Sequence, residues 1–190
     1  MKYAIKSEKV VFDDFFKIYE AEIIHDKFKG GTLAKNRKMF WRKDSAAILI
    51  FEKDTEKLLI TNQFRYPTVN ENGWIMELTA GGIEKKETPE DAIKREVKEE
   101  IGYVIKDIEF ISSFYVSPGG TSERIFLFYS EVNSSDKLFE GGGAKFEKED
   151  IDLVKLEPTD AFKKLSNNEI RDAKTVIALQ WFKIKFKYDK

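Results

Sequence analysis

The run Gly81–Tyr103, GGIEKKETPEDAIKREVKEEIGY, commits one stretch of this chain to a helix with two dissimilar faces. Thr88 and Pro89 read as its start, because a Thr hydroxyl accepts an orphan amide bond and Pro tolerates the first helical position. Gly102, with no Cβ, suits the C-terminal cap, so the helix is expected to end at about that residue. At about 100° per residue, Ile93, Val97 and Ile101 share an apolar stripe, while Glu96, Glu99 and Glu100 fall in a narrow neighbouring sector. One edge must pack on a core and the other must present carboxylates.

Acids spaced i, i+3 and i+4 repel one another by roughly a few tenths of a kcal/mol per pair, which a bound cation would offset. Carboxylate oxygens are hard ligands and favour Mg²⁺ or Mn²⁺; the absence of Cys and the single His25 argue against zinc. An isolated acidic cluster is more often a solvated face, here interleaved with Lys94 and Lys98. The fixed offsets to Gly81, Glu87, Arg95 and Gly102 weigh against that reading. The Arg95 guanidinium is expected to orient the glutamates through bidentate bonds, and Gly81-Gly82 to let the backbone turn and approach a ligand.

Written as spacing, Gly81-x5-Glu87-x7-Arg95-Glu96-Val97-x-Glu99-Glu100-x-Gly102-Tyr103 resembles the signature of the Nudix hydrolases, with Tyr103 in place of the usual aliphatic residue. The resemblance implies an enzyme that hydrolyses a diphosphate bond with Mg²⁺ (Mn²⁺ possible). Glu96, Glu99, Glu100 and the Ala80 carbonyl would be its metal ligands, with Glu87 in support. It also implies an α/β (α+β) Nudix fold, a mixed sheet sandwiched between helices, with a small N-terminal antiparallel sheet.

At 190 residues the chain suits one domain, or a compact domain with a smaller appendage. A net charge of −1, with scattered lysines, gives no footprint for nucleic acid. No Cys, no membrane-length apolar run and no signal-peptide pattern together suggest the cytoplasm.

Residues 1–43 read as strands over Val10 to Phe16, Lys17 to Ile24 and Lys38 to Trp41, punctuated by Gly30-Gly31. Residues 44–190 would form the Nudix domain. Within it, strands are expected over Ser45 to Phe51, Lys57 to Gln63, Trp74 to Leu78, Phe110 to Val116 and Ile125 to Val132. Helices are expected from Thr159 through Leu165 and from Ala173 to Phe186. His25 is expected to be a strand residue, since no Ser or Asp motif accompanies it.

Further stretches resemble the nucleotide-sugar branch of the family. Pro118 lies fifteen residues beyond the run, inside Tyr115-Val-Ser-Pro-Gly-Gly-Thr-Ser-Glu-Arg124. Gly141-Gly142-Gly143 with Glu147, Glu149, Asp150 and Ile151, and Glu169-Ile-Arg-Asp-Ala-Lys-Thr175, resemble GDP-mannose pyrophosphatases. Val176-Ile-Ala-Leu-Gln-Trp181 is similar to the end of ADP-ribose pyrophosphatases. The implied reaction is GDP-mannose to GMP and mannose 1-phosphate. The alternatives are ADP-ribose to AMP and ribose 5-phosphate, or a non-catalytic nucleotide-sugar sensor. The branch also implies a homodimer through the N-terminal sheet. Arg65 resembles a phosphate-contacting arginine, its alternative being a surface residue. Arg37 would reach the base across the dimer. Glu123 and Arg124 would meet ribose or phosphate, or else form a solvated ion pair. With no His base, proton removal falls to a carboxylate on a loop: Glu147 first and Glu149 second, with Glu99 also in the catalytic set. Gly141 to Gly143 would lend that loop hinge freedom.

Overall fold

The computed structural model describes residues 1–143 and 149–188. By internal contacts it divides into two units, Met1–Asp44 with Tyr115–Arg124, and Ser45–Phe114 with Ile125–Lys190. The segment Tyr115–Arg124, expected in the second region, thus clusters with the first.

The first unit holds β1 (Tyr3–Asp13), β2 (Lys17–Asp26) and β3 (Thr32–Trp41) in one antiparallel sheet. β1 begins seven residues before the expected Val10, and β3 begins at Thr32 rather than Lys38. β1 is exposed along its whole length, so no in-and-out alternation marks its start in the sequence. His25 sits in β2, its Nδ1 2.8 Å from the Asp26 carbonyl oxygen. The Ser117–Thr121 turn docks on β3: the Phe40 amide donates to the Gly120 carbonyl at 2.8 Å, and the Ser122 amide to Phe40 at 3.2 Å.

The second unit is built around β4 (Ser45–Glu52), buried on both faces. It pairs antiparallel with β5 (Lys57–Phe64) and β7 (Thr79–Gly82), and parallel with β9 (Arg124–Val132). β6 (Trp74–Glu77) adds to β5, and β8 (Glu109–Tyr115) and β10 (Ile151–Leu156) close the edges of a mixed sheet in the order β10-β5-β4-β9-β8. Ala46, Ile48 and Ile50 of β4 pack toward α1 (Pro89–Ile101) with Ile93, Val97 and Ile101. Ala47 and Leu49 pack on the opposite face toward α2 (Pro158–Ser166) and α3 (Ala173–Lys185) through Ala161, Ala178, Leu179 and Phe182. The sheet is therefore sandwiched between helices, as expected.

Three local differences have physical causes. The stretch Trp74 to Leu78 is broken at Leu78, whose amide turns to the Thr175 hydroxyl at 3.0 Å instead of a neighbouring strand. β10 went unread because Asp152 and Lys155 make it look like charged loop, although Ile151 pairs with Gln63 and Leu156 with Leu58. α2 starts at Pro158 rather than at Thr159, using the preset φ of proline and no side-chain cap. Among the described residues no helix is long and apolar enough to cross a membrane.

Candidate active site

Helix α1 forms as its sequence dictates. The Thr88 hydroxyl accepts the Asp91 amide at 3.1 Å, and Gly102 ends the helix in the left-handed region at φ 74°. Ala92, Ile93, Val97 and Ile101 are fully buried against the sheet, which swings the acidic sector to the rim of β7. Glu96 lies directly on the Gly81 backbone: a Cβ at Gly81 would stand 1.8 Å from the Glu96 Oε1, so only glycine admits this approach.

Arg95 is the hub of that sector. Its Nε and Nη2 donate to the two oxygens of Glu87 at 3.0 and 3.1 Å, its Nη1 to Glu96 at 2.8 Å and Glu99 at 3.2 Å, and its Nη2 to the Gly82 carbonyl at 3.2 Å. Glu87 in turn accepts the Glu84 amide at 2.9 Å, which ties the loop to the helix. The carboxyl of Glu96 is nonetheless raised above the ordinary range by burial, against the pull of Arg95 and with Glu99 and Glu149 adding repulsion.

Glu100, next along the same sector, is 6% exposed. Burial pushes its carboxyl well above the ordinary range, and the charges of Glu96, Glu149 and Glu77 push the same way against Arg65. Among the described residues no side chain donates a hydrogen bond to it. Behind it sits a charged chain of which the sequence reading singled out only Arg65. Arg65 Nε reaches Glu77 at 2.6 Å, Lys174 Nζ reaches the other Glu77 oxygen at 2.6 Å, and Asp172 at 2.9 Å. Asp172 also caps α3 through the Thr175 amide at 3.0 Å. The available signal was Glu77 itself, a carboxylate inside the apolar Ile75-Met76-Glu77-Leu78 stretch, which is rarely buried unpaired.

The structure thus brings Glu96, Glu99, Glu100, Arg65 and Glu149 into one electrostatic neighbourhood, beside β7, which carries Ala80 opposite Ala47. Glu147 lies outside the described residues. Arg37, Pro118, Glu123 and Arg124 lie in the first unit. There Arg124 Nη2 pairs with Asp44 at 2.6 Å and Glu123 faces Arg42 at 3.9 Å. Arg37 is exposed on β3.

Among the described residues no acids stand in a ready-made metal cage. The donor chemistry nevertheless suits a hard divalent cation: an all-oxygen set with a buried carboxylate short of donors and repelled by its neighbours.

The NUDIX domain family profile matches residues 41–180. The chain belongs to the Nudix family. A GDP-mannose pyrophosphatase of Pectobacterium atrosepticum is 32% identical over 179 residues, covering 93% of this chain and 91% of that protein. Another, of Citrobacter koseri, is 32% identical over 183 residues, covering 95% and 94%. A crystal structure of an ADP compounds hydrolase superposes with a TM-score of 0.77 over 100% of this chain and 96% of the other, at 18% identity. The Nudix fold and the likeness to the nucleotide-sugar pyrophosphatases read from the signature are borne out, as is the expectation of a Nudix pyrophosphatase enzyme.

Proposed function

We propose that this Nudix protein hydrolyses the diphosphate bond of a nucleoside diphosphate sugar with Mg²⁺, and that GDP-mannose is its substrate, giving GMP and mannose 1-phosphate. The observation that carries the reading is the acidic sector of α1: Glu96 seated on Gly81, Glu99 held by Arg95, and Glu100 buried among like charges. The choice of sugar nucleotide rests on similarity to GDP-mannose pyrophosphatases along almost the whole chain.

Glu96, Glu99, Glu100 and the Ala80 carbonyl would hold the metal. When bound, Mg²⁺ neutralises diphosphate oxygens and lowers the pKa of the attacking water. In the hydrolysis the water oxygen bonds to phosphorus, the bond from that phosphorus to the bridging oxygen breaks, and the bridging oxygen leaves with the departing phosphate. Glu149 is suited to take the water's proton, because its carboxylate acts on both Glu96 and Glu100. Glu147 keeps its place as the other proposed base. Arg65, braced by Glu77, would present its guanidinium to a phosphate. Arg37, Pro118, Glu123 and Arg124 remain proposed nucleotide-sugar contacts.

A homodimer is part of the proposal. Ile5, Val10, Val11 and Phe12 of β1 are all more than two-fifths exposed, an apolar edge that a second copy would cover.

Chromatography of products from GDP-mannose and ADP-ribose at matched concentrations, with Mg²⁺ and with EDTA, tests the reading. Mg²⁺-dependent release of GMP in preference to AMP is the expected result. Preferential AMP release would move the protein to ADP-ribose, and tight binding of either compound without any product would make it a sensor.

A further inference from the structure

The glycine run 141–143 was expected to act as a hinge, and the structure packs it instead. The Gly142 amide donates to the Glu100 carbonyl at 2.7 Å, and the Leu138 amide to the Gly102 carbonyl at 2.8 Å, so this segment satisfies orphan carbonyls in the last turn of α1. A Cβ on Gly141 would lie 2.4 Å from the Glu100 carbonyl oxygen. The last residue of the run points elsewhere. At Gly143, φ +88°, an added Cβ would meet the Glu149 Cβ at 2.5 Å, its Oε2 at 2.7 Å and the Ile151 Cδ1 at 3.2 Å. Glu149 is held from the other direction as well, because two residues later β10 locks into register with Ile151 opposite Gln63.

We infer that Gly143 is a positioning residue for Glu149: its missing side chain is the space that the Glu149 Cβ and carboxylate occupy. The inference rests on the diphosphatase reading and deepens it. One side of the space is set by a backbone clamped to the helix that bears the metal-site acids, and the other by a sheet edge. A methyl group at Gly143 must therefore push away the Glu149 Cβ, and with it the carboxylate that the Cβ carries. Displacements of about 1 Å in a reacting geometry cost on the order of a hundredfold in rate.

Gly142 supplies a matched comparison, because it also has positive φ, +103°, yet an added Cβ there meets nothing within 4 Å. Gly142→Ala carries the backbone strain without the push on Glu149. With GDP-mannose, ADP-ribose and Mg²⁺, Gly143→Ala should lower kcat by about tenfold to a hundredfold with KM within about twofold, and Gly142→Ala should lose at least about fivefold less. In a Glu149→Gln background, Gly143→Ala should cost nothing further, a coupling that a general folding defect would not produce. Should Gly143→Ala fail to fold by thermal melting, Glu149→Asp withdraws the same carboxylate by one methylene on an unaltered backbone and should show the same loss confined to kcat.

Equal losses for the two alanines, additivity with Glu149→Gln, or an unimpaired Glu149→Asp would each overturn the inference while leaving the diphosphatase reading intact. A wild-type chain that releases neither GMP nor AMP would overturn that reading first, and this inference with it.

Discussion

Glu52, at the end of β4, and Glu100, in the last turn of α1, are both buried glutamates, 0% and 6% exposed, yet among the described residues only Glu52 is furnished with side-chain donors. Lys155 Nζ reaches both Glu52 oxygens at 2.7 Å, the Tyr103 hydroxyl donates at 2.5 Å, and the Thr55 hydroxyl donates to the second oxygen. Burial works to raise the Glu52 pKa, and those hydrogen bonds outweigh it, holding the carboxyl below its ordinary range. At Glu100 burial is joined by like charge and the shift goes the other way. A carboxylate kept for the fold is saturated with donors, whereas Glu100, proposed as a metal ligand, is surrounded by like charge. The stability lost at the second is what a cation can return as affinity.

The largest expected effect tests the unsatisfied member. Glu100→Gln should lower Mg²⁺-dependent turnover by about a thousandfold or more, as loss of a charge-stabilising group in a water-excluded site does. It should leave the melting temperature in EDTA equal to or above that of the wild type. The sign follows from linkage: a folded carboxyl with a raised pKa destabilises the protein once pH exceeds its unfolded value, and glutamine removes that penalty. Near-normal turnover at saturating Mg²⁺ would break the comparison, since Glu100 would then be an acid without a task.

Glu52→Gln tests the satisfied member and should do the opposite, sparing the chemistry and weakening the fold. Breaking a fully buried ion pair costs roughly 3–5 kcal/mol. Here the Lys155 side chain is 36% exposed and can turn to water, so a loss of about 2 kcal/mol in urea denaturation is expected. Because the folded pKa of Glu52 is depressed, its contribution is present above its unfolded pKa of about 4.3 and is lost as pH falls through the folded value. The variant should therefore show a flatter stability profile than wild type as pH falls below about 5. An unchanged acid profile would mean that Glu52 is not the group being saturated.

Much of the acidic site was legible beforehand, because helix periodicity separates its acids from the Ile93, Val97 and Ile101 stripe without reference to the rest of the chain. The Thr88 start and the Gly102 cap were legible for the same reason: both are local. What stayed hidden depends on pairing over long separations. Lys174 gives no sign in sequence that it will meet Glu77, and Lys155 none that it will meet Glu52. The glycine run was read as freedom because its amides and close contacts are visible only once the last turn of α1 lies against it. β1 and the front of β3 were cut short because a strand exposed along most of its length loses the alternation by which strands are read. The site acids were thus readable one turn at a time, and the Glu52 cluster was not readable at all.

Tyr103 sharpens the comparison at its smallest scale. It occupies the one signature position that departs from the family's aliphatic residue, and its ring is fully buried in the cluster that includes Ile101 and Phe128. An aliphatic residue there could fill volume but could not serve Glu52, so the departure belongs with the Glu52 and Lys155 cluster rather than with the acidic sector of α1. Tyr103→Phe keeps the ring and deletes one donor of several, which should cost about 1 kcal/mol. It should also shift the acid-denaturation midpoint to higher pH, because Glu52 then loses part of what depresses its pKa. Turnover should stay within about twofold, well short of the losses expected for groups that act on the transition state. If turnover fell tenfold while stability held, the hydroxyl would be serving α1 and the acids on it, and the division between saturated and unsaturated carboxylates would have to be redrawn across the Gly102 cap.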